Sequence, residues 1–184
     1  MTGCFTNNWK GLKNAMLFGG WSHDGSATVY NRNGACLAAS ADDHVVKGPL
    51  CDLNRSVSPS STGQNSVILG TSDTAPTAAD FDLGSPWSSG VSYVSVSNGE
   101  RVFTADSCAR TFSVTVTNTS DSPVTVREFG IFSYAKYNSG STSSTSPANQ
   151  YMLYRGVLDE PVTLQQYDNA TLTFTITVTL GEPI

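Results

Sequence analysis

The strict alternation of threonine with apolar residues near the end of the chain is the feature that most constrains its fold. From position 171 to 180, every odd residue is threonine and every even residue is a large apolar one. Successive side chains of a β-strand point to opposite faces of the sheet, whereas the pattern of a helix repeats about every 3.6 residues. This segment therefore predicts a strand with one buried face and one face in water.

Weaker versions of the same pattern occur upstream. Thr111 to Thr117 alternates in the same way, residues 118–123 resemble a turn, and Val124 to Phe132 is the next expected strand. In that strand we expect one face to carry Val124, Val126, Glu128 and Gly130 and the other to carry Phe129 and Ile131. Shorter apolar runs at 66–70 and 91–96 add further strands. The chain is therefore predicted to be all-β, an antiparallel β-sandwich or jelly-roll-like domain with an irregular N-terminal arm.

The composition supports a sheet protein and argues against several functions. Charged residues make up 14% of the 184 residues, against about 25% in ordinary soluble proteins, and long surface helices need more. Only 10 Lys and Arg residues are scattered through a chain of net charge −5, so direct nucleic-acid binding is not expected. The sequence shows no segment able to span a bilayer, so we expect no membrane contact. It also shows no secretory leader, so we expect the cysteines to be free thiols.

The domain organisation is predicted from where the strand signals begin. Residues 1–63 are interpreted as an irregular N-terminal segment or arm and residues 64–184 as the β-sandwich, with the Ser-, Pro- and Gly-containing stretch at 56–64 as the boundary. We expect the arm to reach away from the sheet and dock on neighbouring subunits. Residues 138–149 contain no core-forming side chain and predict a mobile exposed loop. The candidate assembly contacts are the apolar residues Trp9, Leu12, Phe18 and Trp21.

Three stretches resemble a group of small β-rich virion structural proteins of tailed bacteriophages. They are residues 68–83 (ILGTSDTAPTAADFDL), 115–132 (TVTNTS…VTVREFGIF) and 153–163 (LYRGVLDEPVT). Ser72 stands where that pattern more often has glycine. The resemblance implies a virion component of the head exterior, neck, tail or fibre, assembled in the host cytoplasm. It also implies that the partners are other virion proteins and further copies of the chain itself.

The same stretches have a physical interpretation. Asp80 and Asp82 flank Phe81, so we expect the ring to point inward and both carboxylates to stay in water. Arg155 is expected to pair across strands with Glu128 or Asp159, a contact worth less than about 1 kcal/mol if it is exposed.

The sequence predicts neither a catalytic site nor a metal site. His23-Asp24 and Asp42-Asp43-His44 are the only groupings of histidine with an acid, and neighbours on a strand point to opposite faces. A zinc site at Cys36, His44 and Cys51 lacks the usual tight pair of cysteines. A calcium site at Asp73, Asp80 and Asp82 lacks a dense ligand spacing. We therefore expect a non-enzymatic protein with no catalytic, cofactor-binding or metal-binding residues and no cofactor.

An alternative function belongs to a different class. Seven aromatic residues could form a platform for sugar rings: Trp9, Trp21, Trp87, Tyr134, Tyr137, Tyr151 and Tyr154. Such a platform would make the chain a host-recognition or carbohydrate-binding module of a fibre or appendage. It requires three or more of these side chains to be exposed together, whereas aromatic residues more often fill cores and interfaces.

Overall fold

The computed structural model describes residues 2–8, 29–30, 32, 34, 36–37, 44–46, 66–104, 107–138 and 149–179. Its ten elements are all β-strands, which confirms the predicted all-β class. Their bounds are β1 Thr2–Phe5, β2 Val29–Tyr30, β3 Cys36–Leu37, β4 His44–Val46, β5 Ser66–Gly70, β6 Val91–Phe103, β7 Ser107–Asn118, β8 Val124–Asn138, β9 Asn149–Leu164 and β10 Asn169–Thr179.

The strands form two principal antiparallel sheets. In the five-stranded sheet, β8 and β9 pair along their length and β1 pairs with the other edge of β9. β5 and β4 lie one after the other along the second edge of β8. The three-stranded sheet has the order β10-β7-β6, and β2 and β3 form a separate pair.

The core lies between these two sheets. Phe129 of β8 stacks on Phe174 of β10, with ring centroids 4.0 Å apart, so the sheets face each other directly. The buried residues of this cluster come from both sheets and from the approach to β6: Val67, Leu69, Trp87, Phe112, Val114, Val116, Val126, Phe129, Ile131, Leu164, Leu172, Phe174 and Ile176. Two antiparallel sheets with interdigitating inner faces make a β-sandwich, as predicted.

The alternation of β7 and β10 has the predicted outcome wherever the side chains are described. In β10, Leu172, Phe174 and Ile176 are buried and the intervening threonines are exposed. On the outer face, opposite hydroxyls of the two strands bond in pairs: Thr111 with Thr175 at 3.0 Å, Ser113 with Thr173 at 3.0 Å, and Thr115 with Thr171 at 2.9 Å. Leu180 lies outside the described residues.

The face assignment predicted for β8 is wrong after its third residue. The pairing of β8 with β9 shifts register between Val126–Val162 and Glu128–Val157, an irregular bulge that leaves one residue of β8 and four residues of β9 unpaired. The alternation of β8 reverses across this bulge, so Val126, Phe129 and Ile131 all face the inter-sheet core. Glu128 and Gly130 are thereby placed on the opposite face of the sheet.

The start of the chain lies on the sheet. β1 pairs with β9 from Thr2 opposite Val157 to Phe5 opposite Tyr154. The backbone N–H of Thr6 then donates to the carbonyl of Leu153 (2.9 Å). For residues 2–8 this differs from the expected arm that reaches away, because β1 gives backbone partners to the edge of β9. Most of residues 1–63, all four candidate assembly contacts (Trp9, Leu12, Phe18 and Trp21) and most of the 138–149 loop lie outside the described residues.

Candidate functional site

A loop covers the face of the five-stranded sheet that points away from the other sheet. We call residues 71–87, which follow β5, the covering loop. The last residues of this loop run beside β5. The N–H of Thr71 donates to the carbonyl of Ser85 (2.9 Å), and the N–H of Trp87 donates to the carbonyl of Leu69 (2.8 Å). A second buried apolar cluster lies on this face, made of Ile68, Leu83, Phe132 and Met152. The sheet is therefore buried on both faces here.

Glu128 lies beneath this loop with no solvent exposure. The bulge in β8 turns its side chain to this face, where three backbone N–H groups of the covering loop donate to the carboxylate. They belong to Ser72 (3.3 Å), Gly84 (3.1 Å) and Ser85 (2.8 Å). A buried carboxylate needs such partners, because desolvation of a charge costs several kcal/mol or more.

Arg155 of β9 supplies the opposite charge. Its Nε and Nη2 both lie 2.8 Å from Oε2 of Glu128, and its Nη1 donates to Oδ2 of Asp80 at 2.8 Å. Nη2 also donates to the carbonyl of Thr74 (3.1 Å), and the Arg155 side chain is only 3% exposed. We call Arg155, Glu128 and Asp80 the Arg155 clamp. One guanidinium thus ties two points of the covering loop, Thr74 and Asp80, to Glu128 of the sheet.

The electrostatics of the clamp favour the charged forms of Asp80 and Arg155. Burial would raise the pKa of Asp80, but hydrogen bonds from the Thr77 N–H and from Arg155 outweigh burial, and the pKa lies below its ordinary value. Burial would likewise lower the pKa of Arg155, but hydrogen bonds and charge interactions with Asp80 and Glu128 raise it. Asp80 and Arg155 therefore stabilise each other's charged form.

Two glycines allow the loop to approach this closely. A Cβ on Gly70 would lie 2.5 Å from Oε1 of Glu128 and 2.6 Å from the Ser85 carbonyl. A Cβ on Gly84 would lie 2.8 Å from Nη2 of Arg155. Any larger residue at either position would have to move the loop or the charged groups of the clamp.

A second arginine holds the same loop from the side. Arg32 Nε donates to Oδ1 of Asp82 at 3.0 Å, and its guanidinium carbon lies 4.8 Å from the centroid of the Phe132 ring. The expected arrangement of Asp80, Phe81 and Asp82 is therefore wrong. Both carboxylates turn inward to arginines, while Phe81 is 40% exposed.

Cys4 borders the clamp. It lies opposite Arg155 in the β1–β9 pairing, is half-buried and forms no disulfide. Burial, together with the negative charge of Asp80, raises the pKa of its thiol, while Arg155 opposes this rise. A thiol of this kind is mostly protonated at neutral pH and reacts slowly. The side chains of the other three cysteines lie outside the described residues.

The structure places the other sequence candidates as follows. Of the aromatic residues considered for a sugar platform, Trp87 and Tyr151 are buried, and half-buried Tyr154 packs against Phe5 and Phe129. Trp9 and Trp21, and the side chains of Tyr134 and Tyr137, lie outside the described residues. So do His23 and the side chains of Cys36, His44 and Cys51.

The described residues do not group into a metal site. Within the described ranges, no three His, Cys, Asp or Glu side chains are grouped so that they could hold a metal ion. Asp80 and Asp82, two of the three residues considered for calcium, instead bind arginines. The part of the chain that the structure describes has no helix with the length and apolarity needed to cross a membrane.

Sequence reasoning found the Glu128–Arg155 pair as one of two options but gave an energy only for the case in which the pair is exposed. It missed Arg32, and it missed that Asp80 and Asp82 are ion-pair partners. The available signal was the scarcity of charge: in a chain with 14% charged residues, two acids two positions apart in a loop of short side chains suggest defined partners.

The fold and the site together define a class of protein: an antiparallel β-sandwich in which buried ion pairs fix a loop over one sheet. No protein-family model, no curated protein and no solved structure matches the chain.

Proposed function

We propose that the chain is a bacteriophage virion structural protein that acts by assembly, with copies of itself or with other virion proteins, and not by catalysis. The observation that carries this proposal is the convergence of the three stretches that resemble such proteins. Residues 68–83 form most of the covering loop, residues 115–132 contain Glu128, and residues 153–163 contain Arg155. Residues from three distant stretches form one buried set of contacts, which gives a physical reason for the three to occur together.

The chemistry of the clamp supports a structural role. The Glu128 carboxylate is fully buried and accepts hydrogen bonds from three backbone N–H groups and from Arg155. A general base or nucleophile needs access to a substrate proton or carbon, whereas this carboxylate is enclosed by its donors. The arrangement supports a loop held rigidly on the sheet, as suits a subunit in a particle. Within the virion, the proposal leaves the head exterior and the neck or tail as the two locations.

The experiment is quantitative mass spectrometry of purified particles of the phage that encodes the chain, with copies counted relative to the major capsid protein. Hundreds of copies per particle would support a place on the head lattice. A few, or a few dozen, would support the neck, tail or fibre. Absence of the chain from washed, infectious particles would overturn the proposal.

The clamp provides a matched test of whether assembly depends on the fixed loop. Particles are prepared from phage carrying Arg155→Met and, as the control, Arg32→Met, which removes the more exposed of the two loop arginines. We expect incorporation of the chain to fall further for the Arg155 variant than for the Arg32 variant. Equal incorporation of both variants at the wild-type level would show that assembly does not require the clamp.

A further inference from the structure

The edges of the sheets differ in how well they are closed. The edge of β5 that faces away from β8 already has hydrogen-bond partners from the same chain. Trp87 N–H donates to the carbonyl of Leu69, and the N–H of Leu69 donates to the hydroxyl of Tyr93 at 2.9 Å. β1 likewise pairs with the edge of β9 that faces away from β8. Exposed edges invite pairing with other chains, so such covering is a protection.

The β6 edge of the three-stranded sheet is protected in a different way. Its pairing with β7 shifts register twice, between Tyr93 and Ser95 and between Asn98 and Arg101. The second irregularity contains Gly99 and Glu100 beside Arg101. Bulges, glycine and charge in an edge strand all disfavour addition of another strand.

The β10 edge of the same sheet has none of these features. β10 pairs with β7 in unbroken register over eleven residues, from Asn169 opposite Thr117 to Thr179 opposite Ser107. It contains no proline, glycine or charged residue. In the part of the chain that the structure describes, no strand pairs with its other edge. At about 3.4 Å per residue, this edge is roughly 37 Å long.

The direction of the backbone groups along β10 follows from the adjacent turn. Asn118 N–H donates to the carbonyl of Asp168 on the β10 side (3.0 Å). The next N–H, that of Thr119, donates to the carbonyl of Gly90 on the β6 side (2.8 Å). Even-numbered residues of β7 therefore direct their backbone groups toward β10. Because the residues opposite them in β10 are also even-numbered, the odd-numbered residues of β10 direct N–H and C=O to the open edge. These are the threonines, whose side chains lie on the exposed face.

We propose that this edge binds a second copy of the chain, β10 against β10, antiparallel about a two-fold axis. In an antiparallel pair, opposite residues share a face of the sheet, so identical strands related by such an axis pair odd with odd and even with even positions. In β10 every such register places threonine opposite threonine and apolar residue opposite apolar residue from position 171 to 179. The strand is uncharged, so no like charges meet. The two three-stranded sheets become one six-stranded sheet with an isologous interface.

This inference rests on the proposed assembly function and specifies one of its contacts. The test uses substitutions in a single cross-strand row, in which Ser97 of β6 lies opposite Ser113 and Ser113 lies opposite Thr173 of β10. Thr173→Pro removes an N–H that points to the open edge and spares the bonds to β7. Thr173→Lys places a charge on that edge. Ser97→Lys is the matched control, because it adds the same charge at the protected end of the same row.

The oligomeric state of the full chain is measured by sedimentation velocity over a wide concentration range, with circular dichroism to verify folding. We expect a dimer for the wild type and for Ser97→Lys. Both Thr173 variants should raise the dimer dissociation constant by about tenfold or more. Hydrogen exchange at the Thr173 and Thr175 amides should be slow in the dimer and faster on dilution.

Three results would overturn the inference. A dimer that is equally tight in the Thr173 variants has its interface elsewhere, and the assembly function would stand without this contact. A monomer with slowly exchanging Thr173 and Thr175 amides has its β10 edge covered by its own chain. A monomer with rapidly exchanging amides leaves the edge unpaired in solution. In the last two cases, the copy number in particles still decides the proposed function separately.

Discussion

Replacing Arg155 by methionine tests whether the clamp is a buried ion-pair cluster that the fold needs. Methionine keeps much of the apolar stem but removes the guanidinium bonds to Glu128, Asp80 and the Thr74 carbonyl. Glu128 then stays fully buried with only backbone N–H partners. Removal of one partner of a buried pair typically costs about 3–5 kcal/mol. In a chain of this size, that corresponds to a fall of roughly 6–20 °C in Tm.

The measurement is urea-induced unfolding followed by tryptophan fluorescence, with Arg32→Met as the control. Arg32 and Asp82 are 20% and 22% exposed, so their ion pair and the contact of Arg32 with the Phe132 ring should together contribute only about 1–2 kcal/mol. We therefore expect the Arg155 variant to be clearly less stable than the Arg32 variant. The two variants carry the same chemical change, so a general effect of the substitution cancels.

A double variant isolates the cause. With Glu128→Gln added to Arg155→Met, the fully buried position 128 no longer carries an unpaired charge, and an amide oxygen in the place of Oε1 still accepts from the Ser72 and Ser85 N–H groups. We expect the double variant to be more stable than Arg155→Met alone. Two results would refute the reasoning: a loss of less than about 1 kcal/mol in Arg155→Met, or a double variant no more stable than the single one.

Three further predictions concern neighbouring groups. Tyr93→Phe removes the hydroxyl that accepts the Leu69 N–H and should lower the unfolding free energy by about 1–3 kcal/mol in urea titrations, whereas an unchanged value would mean that water replaces it. Because the pKa of Asp80 is lowered in the folded state, its contribution is complete above the ordinary value of 3.8 and is lost as the pH falls through the folded pKa. Unfolding between pH 5 and 2 should therefore depend less on pH in Asp80→Asn than in the wild type, and identical curves would contradict this. The Cys4 thiol, whose pKa is raised by burial and by Asp80, should be alkylated slowly at pH 7, as measured by peptide mass spectrometry. Asp80→Asn should speed the alkylation, and an unchanged rate would show that the charge has no effect.

The sequence predicted β7 and β10 because their alternation is local and uninterrupted. Every described even-numbered side chain of Leu172 to Ile176 is buried, as a period of two requires. The prediction for β8 failed at the bulge beside Arg127, because this bulge depends on the pairing with β9, where four further residues stay unpaired, and the sequence of β8 does not show that pairing. The bulge was enough to reverse the alternation of the residues from Glu128 to Ile131 relative to Val126. Glu128 was therefore assigned to the face of Val126, although it lies on the opposite one.

The ion pairs of Asp80 and Asp82 could not be predicted for a different reason: their arginine partners are far from them in sequence. Arg155 and Asp80 are separated by 75 positions, and Arg32 and Asp82 by 50. Reasoning from adjacent residues compared only how well water solvates a phenyl ring and a carboxylate. It therefore placed Phe81 inside and the two aspartates in water. Two buried or half-buried arginines reverse that preference, because each gives one carboxylate a charged hydrogen-bond donor in the place of water.

The covering loop, the β8 bulge and Arg155 depend on one another energetically. Without the bulge, Glu128 would face the apolar core between the sheets, where Phe129 and Phe174 stack. Without the loop, the carboxylate would lose three N–H donors, and without Gly84 the loop could not lie against the arginine. Because a lone buried carboxylate costs more than a neutral residue of similar size, loss of Arg155 alone is worse than loss of both charges. A functional relative lacking this arginine should therefore also lack an acid at the position of Glu128, and a relative that retained only the acid would contradict this account.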